Sequence, residues 1–266
     1  MYQIKYRDVR KSGGKMRANP VLEKWRNGEK TIGAWLSSDS SYVAETMGHV
    51  GFDWLCIDQQ HGISDYASTF QMLQAISTTN TTPFVRVAWN DSATIMRALD
   101  AGAYGIVIPL VNNAEEAKKA VWACRYPPDG GRSSGPNRAI LYGGSDYQAE
   151  ANKEIACIVM IETAEAIENI DSILSVEGVD AAYIGPSDLA YALEMTPTGD
   201  NNNPDHVKTV EAIFDACIRH GVAPGIHTGS VEYTSRWLSH GFQMVNLGTD
   251  IQFLRSRASD SLSQVK

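Results

Sequence analysis

Eight short apolar segments, each followed by a helical or turn-rich stretch, constrain this 266-residue chain more than any other feature. They are TIGAWL (31–36), DWLCID (53–58), PFVRVAW (83–89), YGIVIPL (104–110), ACIVMIE (156–162), DAAYIG (180–185), APGIHT (223–228) and QMVNLG (243–248). Most are apolar without interruption, as strands covered on both faces must be. Between them run amphipathic stretches such as ASTFQMLQAISTT (67–79), SATIMRALDAG (92–102) and PDHVKTVEAIFDACIRHG (204–221). Several end in glycine, where a left-handed helix cap would sit. Strand and helix in alternation make a parallel sheet, and eight units predict closure into a single-domain (β/α)8 TIM barrel. An open doubly wound sheet is the competing arrangement. A GxGxxG turn after the first strand would favour it, and the sequence has none.

The formal charge of −8 argues against a nucleic-acid surface. The four cysteines, Cys56, Cys124, Cys157 and Cys217, form no CxxC pair, so neither a disulfide framework nor a zinc knuckle is suggested. Cys56 and Cys157 lie within apolar runs and read as buried thiols of a reducing compartment, which places the protein in the cytoplasm. No run approaches the ~18 apolar residues of a membrane span. Residues 1–17 hold six Lys or Arg against one acid, Asp8, and lack the apolar stretch of a secretory signal. They are expected to be a flexible basic extension, with the barrel occupying 18–266. Segment 125–147, with three prolines and five glycines, reads as a long loop and a candidate lid.

Chemistry in such a barrel gathers at the carboxyl ends of the strands. Those ends supply Trp35; then Asp58, Gln60 and His61; then Arg86; then Glu162; then Gly185-Pro186-Ser187-Asp188; then His227 and Thr228; then Thr249 and Asp250. Packing a barrel does not need so many polar groups at one pole. Glu162 and Asp188 follow neighbouring strands directly. Strands ~4.8 Å apart can bring two carboxylates to one hard cation such as Mg²⁺ or Mn²⁺. Alternatively each acid caps the helix that follows. His61 suits proton transfer near neutral pH, and an acid lies three residues before it. Arg86 interrupts an apolar strand and needs an anionic partner, either Asp58 or a substrate oxygen. Asp100 sits near a helix C-terminus, where the dipole disfavours an acid, which suggests a partner such as His61; a solvated surface acid is the competing reading. His49, His206, His220 and His240 read as surface or capping residues, and Met160 reads as core.

Taken in order, GAWLSS (33–38), GFDWLCIDQQHG (51–62), PFVRVAWND (83–91), RALDAGAYGIVIP (97–109), RYPPDGGRSSGP (125–136), IET (161–163) and GVDAAYIGPSDLA (178–190) make residues 20–255 resemble the HpcH/HpaI aldolase family. The resemblance implies a metal-dependent aldolase that cleaves a 4-hydroxy-2-oxo acid to pyruvate and an aldehyde. It also implies a homo-oligomer, trimeric or hexameric, that exchanges a terminal helix between subunits. Glu162 and Asp188 would hold the divalent metal, Mg or Mn, with Co or Zn as alternatives. Arg86 would face the keto oxygen. Gly185, Ser187 and Asp188 would hold the substrate carboxylate, and Trp35 would line the pocket. His61, oriented by Asp100, would be the base, and Asp58 would position Arg86 or His61. Two positions depart from the family pattern: Gln60 where an acid often stands, and Met160 where Gln often stands. Both leave the aldehyde open. Oxaloacetate decarboxylation, macrophomate-synthase-like bond formation and CoA-ester cleavage are the competing activities. No strand ends in a lysine, which argues against imine chemistry.

Overall fold

The computed structural model describes residues 15–266. Eight parallel strands close a barrel in sequence order: β1 (Thr31–Leu36), β2 (Trp54–Asp58), β3 (Thr82–Arg86), β4 (Gly105–Ile108), β5 (Ala156–Ile161), β6 (Ala181–Ile184), β7 (Ala223–Ile226) and β8 (Met244–Thr249). Six lie within the segments expected to be strands; β3 starts one residue before its segment, at Thr82, and β8 ends one residue after its segment, at Thr249. Helix α1 (Pro20–Arg26) precedes β1, and the outer ring begins with α2 (Ser41–Gly48), α3 (Tyr66–Ile76), α4 (Ser92–Asp100) and α5 (Ala114–Cys124). It continues through α6 (Asn137–Gly143), α7 (Tyr147–Glu154), α8 (Ala164–Glu168), α9 (Ile170–Leu174) and α10 (Pro186–Ala192). It ends with α11 (Pro204–His220), α12 (Val231–His240) and α13 (Asp250–Ser263).

Alternation along each strand divides the apolar residues between two cores. One set, including Leu36, Leu55, Ile57, Val85, Ile106, Ile161 and Ile184, packs against the helices. The other, including Trp35, Trp54, Cys56, Phe84, Met160, Tyr183 and Met244, fills the barrel. Large rings fit there because glycines face them. A Cβ on Gly33 would stand 2.0 Å from the Trp54 ring, and one on Gly225 would stand 2.7 Å from Tyr183. Val21, Leu22 and Trp25 of α1 join the inner core and plug the amino-terminal pole. All four cysteines are free and buried, as expected of the two in apolar runs.

Segment 125–147 differs from the expected lid. It contains α6 and leads from α5 to β5, so it belongs to the amino-terminal pole, opposite the strand ends that carry the polar residues. Arg125 anchors its start, donating to the carbonyls of Ile155 and Gly178 and pairing with Asp180 at 2.8 Å. Most of the expected flexible extension, residues 1–14, lies outside the described residues. Its last residues are packed: Arg17 donates its backbone N–H to the Gly143 carbonyl at 2.6 Å and its guanidinium to Tyr142. Among the described residues no helix is long and apolar enough to cross a membrane.

Candidate active site

The carboxyl pole is organised around Arg86. Asp58 and Arg86 are register partners at the ends of β2 and β3. The guanidinium binds the carboxylate in a fork, Nε to Oδ1 at 2.8 Å and NH2 to Oδ2 at 2.7 Å. Burial pushes the Asp58 carboxyl up, but the hydrogen bonds and charge of Arg86, with the N–H groups of Gln60 and His61, bring it below the usual carboxylate range. Trp35 lies under the guanidinium, its ring centroid 4.5 Å from the central carbon. This is a cation–π seat in a dry place. Among the described residues NH1 is left with only a weak 3.9 Å contact to the Met160 sulfur. Arg86 is thus fixed on three sides with one N–H edge uncommitted.

Glu162 follows β5 and is 2% exposed. Its Oε1 accepts the backbone N–H of Leu110 at 3.0 Å, and Leu110 holds φ +54 to deliver it. For a branched residue that left-handed backbone is strained, and such strain concentrates where geometry is functionally set. Its Oε2 accepts no hydrogen bond among the described residues. A Cβ on Gly185 would come within 2.4 Å of Oε2, so the glycine is what leaves room for the carboxylate. Burial first, then the charge of Asp188, pushes the Glu162 carboxyl up to about 7 against the pull of Leu110 and Arg86. Asp188 is exposed, in the first turn of α10, where Pro186 opens the helix. The backbone N–H groups of Ser187 and Asp188 have no partner among the described residues and point out of the helix start.

The structure gathers Asp58, Arg86, Glu162, Gly185, Ser187 and Asp188 at one pole and seats Trp35 beneath them. Trp35 is only 1% exposed, so it forms the floor under Arg86 and not an open wall. His61 is exposed in the β2–α3 loop, its backbone N–H 3.3 Å from Asp58 Oδ1. Asp100 does not join them within this chain. It ends α4 and leads into the start of β4, at the opposite pole, where its carboxylate pairs with the buried Arg132 at 2.7 Å. Within this chain the cationic partner at the end of α4 is Arg132. His206 is also corrected. It is fully buried, and its Nε2 lies 3.0 Å from the carbonyl of Pro186, the first residue of α10. Asp250 accepts from the N–H groups of Ser37 and Ser38 and so ties the β1–α2 loop to α13. Met160 is core, but it also touches Arg86.

Tyr183 and Asn246, which strand-end position does not single out, join Trp35 and His227 in a polar network in the barrel interior. Trp35 Nε1–H donates to the Tyr183 hydroxyl at 3.1 Å, Tyr183 O–H donates to Asn246 Oδ1 at 3.1 Å, and His227 Nδ1 is 3.3 Å from the same hydroxyl. The available signal was Asn246, a polar residue within an apolar strand, which is the criterion that picked out Arg86.

Comparison with known proteins agrees with this arrangement. Residues 31–256 match the family model described as HpcH/HpaI aldolase/citrate lyase. The chain is 37% identical over 248 residues to a hydroxypyruvate/pyruvate aldolase of Rhizorhabdus wittichii, covering 93% of this chain and 99% of the relative. It is 39% identical over 242 residues to a 4-hydroxy-2-oxo-heptane-1,7-dioate aldolase of Escherichia coli, covering 89% and 90%. A crystal structure of an HpcH/HpaI aldolase/citrate lyase family protein from Burkholderia cenocepacia superposes with a TM-score of 0.88 at 31% identity, covering 93% of this chain and 99% of that one. With its closed eight-stranded barrel and the match running from β1 into α13, the chain belongs to the HpcH/HpaI aldolase/citrate lyase family of lyases.

Proposed function

We propose that the protein is a divalent-metal-dependent pyruvate aldolase, cleaving a 4-hydroxy-2-oxo acid reversibly into pyruvate and an aldehyde. The observation that carries this is the pairing of an uncommitted N–H edge on a rigidly held Arg86 with a buried, incompletely bonded Glu162 beside Asp188. Two carboxylates near enough for the charge of Asp188 to raise Glu162, one of them dry, are an excess of negative charge that a hard cation relieves. Their oxygens suit Mg²⁺ or Mn²⁺. When bound, such an ion would supply Lewis-acid charge at the keto oxygen.

The chain's own residues would do the rest. The free amides of Ser187 and Asp188 hold the carboxylate of the 2-oxo acid. Arg86 NH1 donates to the keto oxygen, where negative charge accumulates as the C3–C4 bond breaks. The exposed His61 takes the proton of the C4 hydroxyl. The C4 oxygen becomes the aldehyde carbonyl, the bonding pair moves onto C3 and the keto oxygen, and protonation of C3 completes pyruvate. The exposed apolar side chains of α13, Leu254 at 69% and Leu262 at 52%, would bear the expected helix exchange in a homo-oligomer.

Pyruvate alone suffices to test the enolate half of this reaction. Incubated in D₂O with Mg²⁺ or Mn²⁺, it is expected to lose its methyl proton signal, and EDTA is expected to stop the loss. Absence of exchange with every divalent metal tried overturns the proposal.

A further inference from the structure

Hydrogen bonds in the barrel interior fix the state of a histidine that the reaction above leaves unused. Asn246 in β8 accepts the Thr228 backbone N–H on Oδ1 at 2.6 Å and donates Nδ2 to the Thr228 carbonyl at 2.9 Å. That double contact settles which end of the amide is oxygen. Tyr183 O–H, 3.1 Å from Oδ1, therefore donates to it. A phenol has one proton, so the Tyr183 oxygen can only accept from its other neighbours. Trp35 Nε1–H is one of them, at 3.1 Å. His227 Nδ1 is the other, at 3.3 Å, and must carry a hydrogen.

A neutral imidazole with its hydrogen on Nδ1 presents Nε2 as a bare acceptor. Burial first, then the charge of Arg86, holds His227 down to about 4, so the ring stays neutral at physiological pH. The ring packs on Trp35 with centroids 5.4 Å apart. Trp35, Tyr183 and Asn246 are sealed, whereas His227 is partly exposed. Nε2 has no hydrogen-bond partner among the described residues, yet it is not among the sealed, unpartnered atoms. It therefore opens at the mouth of the barrel, within reach of the Arg86 charge.

We propose that His227 is a specificity residue whose Nε2 accepts a hydrogen bond from a hydroxyl on C3 of the substrate, so that the site favours 3-hydroxy-2-oxo acids over their 3-deoxy counterparts. This rests on the aldolase reading. With the carboxylate at the β6–α10 turn and the keto oxygen at Arg86 on β3, C3 faces the remaining side of the mouth, formed by β7, β8 and β1. His227 stands there, on the sealed ring of Trp35. A methyl group leaves Nε2 unpaired, and a hydroxyl satisfies it. One such hydrogen bond corresponds to roughly a tenfold preference.

The test is calorimetric binding of hydroxypyruvate and of pyruvate to the full chain with Mn²⁺, for wild type, His227→Phe and His227→Gln. Wild type is expected to bind hydroxypyruvate roughly tenfold tighter. In His227→Phe, which keeps a ring on Trp35, the ratio falls to about one, and Gln, whose amide oxygen can accept, restores part of it. A wild-type ratio near one, or a ratio unchanged in His227→Phe, overturns the proposal, and the wild-type ratio requires no variant to fold. Pyruvate exchange in D₂O separates the two claims. Intact exchange with a ratio of one removes the role of His227 and leaves the aldolase reading standing. Absent exchange with a ratio that disappears in His227→Phe removes the aldolase reading and keeps the contact.

Discussion

Arg86 and Asp58 stand opposite each other at the ends of β3 and β2, joined by parallel hydrogen bonds of 2.8 and 2.7 Å. The side chains are 12% and 5% exposed, so the pair is almost dry. Removing one partner of a buried pair strands the other charge, at a cost of about 3–5 kcal/mol. Arg86→Ala is expected to destabilise by the lower end of that range, about 3 kcal/mol, because the site is not wholly sealed. It should also slow pyruvate exchange by at least ~100-fold, the usual scale for losing a donor to a developing oxyanion. Urea unfolding and NMR exchange on one preparation separate the two losses. Exchange near the wild-type rate would take Arg86 out of the mechanism.

Glu162 gives a pH dependence of definite sign. Its carboxyl is raised from 4.5 to about 7, so the native chain holds that proton more tightly than the unfolded chain. With EDTA present, this group's contribution is complete below about pH 4.5 and is lost as pH rises through about 7. The loss is on the order of 3 kcal/mol. Asp58, which is lowered, acts in a separate window, losing its contribution as pH falls below the ordinary carboxylate range. His227, held down to about 4, contributes a slope of opposite sign up to about pH 6.5 in both proteins, so the Glu162 slope is read as the difference between wild type and Glu162→Gln in denaturant melts from pH 5 to 8. A difference that does not change with pH would mean that Glu162 is not the titrating group.

Gly185→Ala places a methyl group 2.4 Å from Glu162 Oε2. Gly185 has φ −92, which alanine adopts freely, so the effect is steric and falls on the carboxylate. Mn²⁺ affinity, measured by calorimetry, should fall at least ~10-fold, as when groups that orient a metal ligand are disturbed. The unfolding midpoint should move little. Unchanged Mn²⁺ binding would show that Glu162 does not hold the ion.

Arg125 is the control at the other pole. It ties α5 to the starts of β5 and β6 through Ile155, Gly178 and Asp180. Arg125→Met should cost about 3 kcal/mol by stranding Asp180, which is 17% exposed. Exchange per folded molecule, corrected for the unfolded fraction from circular dichroism, should remain that of wild type. A selective loss of exchange would connect the two poles in a way the fold does not explain.

Period and order are local properties, so the eightfold alternation, the strand segments and the strand-end residues Asp58, Arg86, Glu162 and Asp188 were legible in the chain itself. The same local logic identified Arg86 as a charge in need of an acid. It could not choose between Asp58 and a substrate oxygen, because that choice depends on register between β2 and β3.

The pole at which each loop lies follows from the closed barrel. Asp100 and the 125–147 segment carry suggestive chemistry, yet helices run antiparallel to strands in this fold, so both end up away from His61. Only the closed barrel turned Tyr183, His227 and Asn246 inward from three strands to meet Trp35. Which side chains stand at strand ends is legible in the chain, since alternation and apolar runs are written residue by residue. Which of them touch depends on barrel closure and register, which bring together groups more than a hundred residues apart.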